Sequence, residues 1–182
     1  MSSAFGGLNA VAVFGGGERP GFPRHAVVQG PEVSVGPELE WPGAPSAWRR
    51  ADAYCRAGML AIAQLIEAVG PLDPEVALIL TTRTGCQVAD VAYHRRLVQE
   101  GAGRAPRRLF TFTLPGAPLC VAAIHWQLRG AQLALFGDHE VGDEEAQRWV
   151  RHGRAPAAVS LWCEVPIAGE ARACARLWRL EP

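Results

Sequence analysis

Residues Val76–Thr81 read V-A-L-I-L-T, an uninterrupted apolar run of strand length. A strand without polar alternation is expected where both faces of its sheet are covered. This one run therefore asks for helices above and below it, and the neighbouring segments supply candidates. Arg50–Val69 has helical periodicity, with Ala53, Ala57, Met59, Leu60, Ala63, Leu65 and Ile66 on one broad face and Gly70-Pro71 as a stop. Gln87–Gln99 reads as a second helix. Ala117–Leu128 reads as a third, apolar nearly all round, which predicts burial. Asp143–His152 reads as a fourth, with acidic residues in or near its first turn, where the helix dipole favours them.

Further strands are expected at Asn9–Phe14, Gln132–Phe136, Ala157–Val165 and Ala171–Leu180, the last alternating like a strand with one wet face. Glu18–Ser46 is rich in Pro and Gly and reads as an irregular excursion, with room for a short strand at Glu32–Val35. Alternating strands and helices predict an α/β fold, a mixed sheet covered by helices, in one domain spanning residues 1–182. A chain of 182 residues is long enough for one real core.

Composition mainly excludes. The net charge is zero, so nothing electrostatic favours nucleic acid or an anionic membrane as partner. All eighteen basic residues are arginine, which removes lysine Schiff-base and P-loop chemistry. The cysteines, Cys55, Cys86, Cys120, Cys163 and Cys174, are odd in number and form no C-x-x-C pair. They are expected to be reduced core thiols of a cytoplasmic protein. The first residues lack the pattern of a secretory signal, and no apolar segment approaches the length of a membrane span. Gly15-Gly16-Gly17 lacks the spacing of a dinucleotide fingerprint and reads as a turn.

The chemistry-bearing stretch is Leu114–Gly142: an apolar helix ending at a glycine, a short strand, and a polar turn opening onto another helix. The turn carries Asp138-His139-Glu140. Consecutive side chains point apart, so the three cannot converge on one atom, and their spacing, with or without His125, does not suit a metal. No metal and no cofactor is expected. His139 can act as a base flanked by carboxylates, or simply pack at a turn before a helix. Arg104, Arg107 and Arg108 form a small basic patch that suits an acidic carrier protein or a solvated loop.

In order along the chain, these segments resemble the N-terminal half of β-ketoacyl synthases. Arg49-Arg50-Ala51-Asp52 leads into a helix as in that family. Leu80-Thr81-Thr82-Arg83-Thr84-Gly85 matches a strand ending in G-T-x-x-G. Phe112-Thr113-Leu114-Pro115-Gly116 keeps the proline of an Asn-x-x-Pro-Asn-like loop, and Gln127-Leu128-Arg129-Gly130-Ala131 resembles its G-L-x-G-P turn. Counted from Gly130, the nucleophilic cysteine's place falls on His139, and the glycine that follows the nucleophile is present as Gly142. The resemblance runs from about Arg49 to Leu180 and implies half of a thiolase-type fold with a mixed five-stranded sheet.

The departures bear on activity. The family's Thr-Ala-Cys is Gly137-Asp138-His139 here, and no H-G-T-G-T segment supplies the imidazoles that condensation needs. Chain-length factors, inactive partners of ketosynthases, often carry Asp-Gln at this place, and Asp138-His139 looks like a variant of that pair. The resemblance therefore implies a non-catalytic subunit of a type II polyketide, aryl-polyene or fatty-acid-like pathway, in a heterodimer with a full-length ketosynthase and only indirect dealings with an acyl carrier protein. In the family the strand before the nucleophile turn pairs across the dimer axis, which marks Gln132, Leu133, Ala134, Leu135 and Phe136 as interface. The proline loop and following helix line the partner's acyl pocket, which marks Phe112, Leu114 and Leu119 as gating residues. The rival expectations are a small stand-alone acyl-thioester hydrolase or decarboxylase using His139, and a scaffold with no acyl role.

Overall fold

A computed structural model of the chain describes residues 25–36, 41, 44, 46, 48–101, 104, 107–166 and 170–180. The expected strand Asn9–Phe14 and the glycine run after it lie outside these residues. The elements, in chain order, are β1 (His25–Gln29), β2 (Val33–Val35), α1 (Ala53–Val69), β3 (Ala77–Thr82), α2 (Gln87–Glu100), α3 (Arg107–Phe110), α4 (Ala117–Trp126), β4 (Gln132–Phe136), α5 (His139–Arg151), β5 (Ala157–Glu164) and β6 (Ala171–Leu180).

Every residue of β3 is buried, as its composition demands. It lies between β5 and β4, parallel to both. β6 runs antiparallel to β5, and β1 and β2 both pair with β6, giving the order β1-β6-β5-β3-β4 with β2 beside the other end of β6. The sheet has six strands among the described residues: four of the five expected, with β1 and the short β2 added. β1 lies within a stretch expected to be irregular. Its H-A-V-V-Q core buries Val27 and Val28, and proline and glycine on either side masked it in the sequence. β2 falls where a short strand was expected.

The chain leaves β3, crosses one face through α4 to β4, then returns over the opposite face through α5 to β5. Crossovers of one hand that step first outward and then back place their helices on opposite faces. The larger core lies under α1 and α4, built on Tyr54, Met59, Ile62, Leu65 and Leu119 against Leu78, Leu80 and Leu161. The smaller lies under α5, where Ala146 and Val150 pack on Ala77, Ile79, Ala158 and Trp178. Helix α1 starts at Ala53 because the Asp52 carboxylate accepts a hydrogen bond from the Cys55 N–H (2.9 Å). No helix among the described residues is long and apolar enough to cross a membrane.

Two helices depart from expectation. α5 begins at His139, not Asp143: Asp138, in extended backbone, stands at the N-cap position without a side-chain capping bond, and the acidic cluster 143–145 sits in the second turn. α4 is not buried all round. Ala117, Pro118, Leu119, Ala122 and Ala123 face the core, while Cys120 and His125 are exposed and Ile124 is 81% exposed. Among the described residues α1 packs against its inner face, and Cys120, Ile124 and His125 face outward.

Gly130 sets the entry to β4. Its N–H and that of Arg129 both donate to the Pro74 carbonyl, which presses this turn onto the segment leading into β3. A Cβ on Gly130 would sit on the Val76 carbonyl, far inside contact distance of rigid backbone. Gly130→Ala should therefore destabilise the fold by about 1–3 kcal/mol, the usual cost of overpacking, read as a lower denaturant midpoint.

Candidate functional site

The parallel strands β3, β4 and β5 end at one edge of the sheet, the place where open α/β sheets collect their functional groups. Three turns meet there. The turn after β3 is folded around a buried carboxylate. Glu164, at the end of β5 and 6% exposed, accepts hydrogen bonds from the backbone N–H of Arg83, the backbone N–H of Thr84 (3.2 Å) and the Thr84 hydroxyl (2.6 Å). The Arg83 guanidinium lies 3.7 Å from Glu164 and 3.4 Å from Asp138, joining this turn to the one after β4. A third tie comes from the buried Tyr54 hydroxyl, which donates to the Pro115 carbonyl (3.1 Å) and holds the proline loop. Burial, with the Cys163 thiol next in effect, pushes the Tyr54 hydroxyl far above its ordinary value, so it keeps its proton.

His139 is the first residue of α5. Its side chain is 46% exposed, and Nδ1 lies 3.3 Å from a Glu140 oxygen. Gly142, one turn on, lets the helix settle on β3: a Cβ there would be 3.0 Å from the Thr81 side chain. His139 opens onto a cleft of about 320 Å³ shared with Asp143, Ser160, Trp162, Cys174 and Arg176. Two carboxylates line this cleft: Glu32 is exposed, and Asp143 is already engaged. Asp143 accepts from the Ser160 hydroxyl (2.6 Å) and from Arg176, the Ser160 oxygen accepts from the Trp178 indole (2.8 Å), and Arg176 donates to the Gln29 side chain (3.0 Å). Ser160 thus donates its hydroxyl hydrogen bond to Asp143, a carboxylate that is also paired with the Arg176 guanidinium. The sequence pointed to His139 but not to this network, whose members come from β1, α5, β5 and β6. The one sequence signal was the polar face of β6, where Cys174 and Arg176 alternate with buried alanines.

Among the described residues no cluster of His, Cys, Asp and Glu has the makings of a metal site. His125 lies on the outer face of α4, its ring edge-on to Trp126 with centroids 4.7 Å apart. Arg104 and Arg107 are exposed.

The expected interface residues form the outer strand of the sheet. Gln132, Ala134 and Phe136 are exposed, Phe136 at 69%, while Leu133 and Leu135 are half-buried against the core under α5. Of the three expected gating residues, Leu119 sits inside this chain's own core, Phe112 packs half-buried against that core, and Leu114 is exposed. The loop they flank lies close to β4, since a Cβ on Gly85 would touch both the Phe136 ring (3.3 Å) and Pro115 (3.8 Å). Phe136 thus lies near the proline loop, and Leu114, Val88 and Val91 are exposed apolar residues as well.

The sequence matches no protein-family model and no curated protein. Solved structures share the fold. The ketosynthase ApeO in complex with its chain length factor ApeC from Xenorhabdus doucetiae is similar over 79% of this chain and 63% of the matched chain (TM-score 0.64, 14% identity). The ishigamide ketosynthase/chain length factor is similar over 80% of this chain and 48% of that one (TM-score 0.66, 13% identity). A β-ketoacyl synthase from Burkholderia phymatum STM815 is similar over 80% and 47% (TM-score 0.65, 9% identity). The chain has the thiolase-type half-fold of these proteins and spans between about half and under two thirds of their length.

The thiols offer a check on the packing. Burial, with Asp90 beside it, pushes Cys86 up to about 12, and burial raises Cys55 and Cys163 as well. A thiol that ionises later folded than unfolded costs stability as pH rises: stability should fall from near the ordinary thiol value of 9.0 towards about 12. At neutral pH a maleimide should modify the exposed Cys120 first and reach Cys55, Cys86 and Cys163 only in denaturant, as mass spectrometry of the labelled protein would show.

Proposed function

We propose that this chain is a non-catalytic ketosynthase-like subunit of the chain-length-factor type, paired with a full-length ketosynthase in a type II polyketide, aryl-polyene or fatty-acid-like pathway. One observation carries the reading: among the described residues β4, the strand that leads into His139, is the outer strand of the sheet and leaves Phe136 bare. An apolar open edge is a liability unless something covers it. The outward-facing Cys120 and Ile124 of α4 add to the same need. Two of the similar structures carry a ketosynthase and a chain length factor together, which supports the choice of partner.

The chemistry supports the inactive role. A condensing centre needs a thiolate, an oxyanion hole and imidazoles acting together. By order and spacing His139 falls at the nucleophile's place, its imidazole facing Glu140. Condensation then belongs to the partner, and this chain contributes a wall. In the wall Leu114 and Phe112 face the partner's acyl pocket, and Leu119 supports them from the core beneath. An acyl carrier protein meets the complex through the ketosynthase. The cleft beside His139 gives the hydrolase reading its one foothold; thioester hydrolysis by the isolated chain that disappears in His139→Ala would establish that alternative.

The pairing is tested by co-expression with the ketosynthase. Ala134→Asp, at an exposed position of β4, puts an unpaired charge into the covered edge, which costs about 3–5 kcal/mol when no partner neutralises it, and should abolish co-purification while the chain itself stays folded; Leu135→Asp should also lower the melting temperature, because Leu135 packs on the core under α5. Retention of the Ala134→Asp chain on the ketosynthase would place the interface elsewhere.

The wall is tested by product length. An apolar pocket gains about 0.8 kcal/mol for each methylene it can newly bury. Leu114→Ala or Phe112→Ala should therefore shift the reconstituted complex to longer chains at an unchanged condensation rate. Leu119→Ala should instead lower the melting temperature, with a loss of about 2–5 kcal/mol from the core. An unchanged length distribution in an intact complex would remove the gating role.

A further inference from the structure

Helix α1 meets the proline loop and the start of α4 at two points on one face. Tyr54, 2% exposed, donates its hydroxyl hydrogen to the Pro115 carbonyl (3.1 Å). Gly58, four residues on and buried, lies against Pro118: a Cβ at Gly58 would sit 2.7 Å from the Pro118 Cβ, so the ring rests on bare helix backbone. Positions four apart share a helix face, and the two prolines they meet stand three apart at one junction.

That junction is stiff. Each proline fixes its own φ, and Pro118 stands in the first turn of α4. The Ala117 N–H donates to the Leu114 carbonyl (2.9 Å), and the Cys120 N–H to the Gly116 carbonyl (3.1 Å). Leu114, 57% exposed, is carried by this turn. A shift at Pro115 or Pro118 is therefore passed on to Leu114, although Tyr54 and Gly58 are themselves buried inside the chain. The two contacts act in different ways. The hydrogen bond is a tether that draws the loop towards α1. The glycine is a stop: its missing side chain sets how closely α4 approaches.

We propose that Tyr54 and Gly58 are positioning residues that set how far Leu114 reaches out of this chain, and through it the length of the acyl chain that the complex makes. This rests on the reading of Leu114 as part of the wall of the partner's pocket and adds what fixes that wall in place. A side chain at position 58 pushes Pro118 and Leu114 outward and makes the pocket shallower. Loss of the Tyr54 hydroxyl lets the loop take more than one position.

The test uses the full chain reconstituted with the ketosynthase. Gly58→Ala should shift the products to shorter chains, and adding Pro118→Gly, which removes the opposing Cβ, should restore their length. Tyr54→Phe keeps the ring and should broaden the length distribution. In the chain alone, hydrogen exchange at the Ala117 amide should quicken about fivefold in Tyr54→Phe, the weight of one lost hydrogen bond, and by more than at the β3 amides, which report the fold as a whole. A lower melting temperature with unchanged products is what a purely structural role gives, and it would overturn the proposal, as would unaltered exchange at Ala117. Should Gly58→Ala fail to fold, Tyr54→Phe decides alone. Leu114→Ala separates this inference from the wall itself. Products lengthened by Leu114→Ala but unmoved by Tyr54→Phe and Gly58→Ala would overturn this inference and leave the wall standing; products unmoved by all three would remove the wall and this inference with it.

Discussion

A carboxylate carried into a protein interior has to be met by donors, and at the end of β5 that need organises the whole functional edge. Glu164 is surrounded by two backbone N–H groups and a hydroxyl from the turn after β3. The turn has its shape because those donors converge on one buried charge. Through Arg83 the same charge reaches Asp138, and so the turn that starts α5 and carries His139. Removing the carboxylate would strand several donors at once, each costing about 1–3 kcal/mol if left unmet. The placement of the candidate site relative to the sheet is thus an electrostatic matter before it is a matter of packing.

What could be read in advance follows from how local each signal is. β3, β4 and β6 are legible because strand burial is written in side-chain type: an unbroken apolar run for the central strand, strict alternation for β6. β1 was hidden because its pairing partner is β6, more than half the chain away, and nothing nearby announces a strand between prolines. The start of α5 was misplaced for a related reason. Three acidic residues are a strong local mark of a helix N-terminus, but Asp138 stands at the N-cap position one turn earlier. In α4 an all-round apolar sequence suggested burial, yet a sequence cannot show whether a helix is covered from both sides or only from one.

The candidate site divides in the same way. His139 could be located by order and spacing, because the strand, turn and helix around it are consecutive. The network of Asp143, Ser160, Arg176, Gln29 and Trp178 could not, because it forms only when the sheet brings four elements together. The two kinds of residue also differ in what they can do. The consecutive ones present His139 to the cleft, while the assembled ones consume each other's hydrogen-bonding capacity.

The place of β6 bears on how such a chain comes off the ribosome. β1, β2 and β5 all pair with it and α1 packs across it, yet it is made after every one of them. During synthesis its partners wait with unpaired backbone and bare apolar faces, and two of them emerged before any helix. The nascent chain therefore cannot lock its sheet in the order it is translated. It holds its longest-range contacts open until β6 has been made, and that interval is when chaperones, or a subunit already folded nearby, have the best access to it.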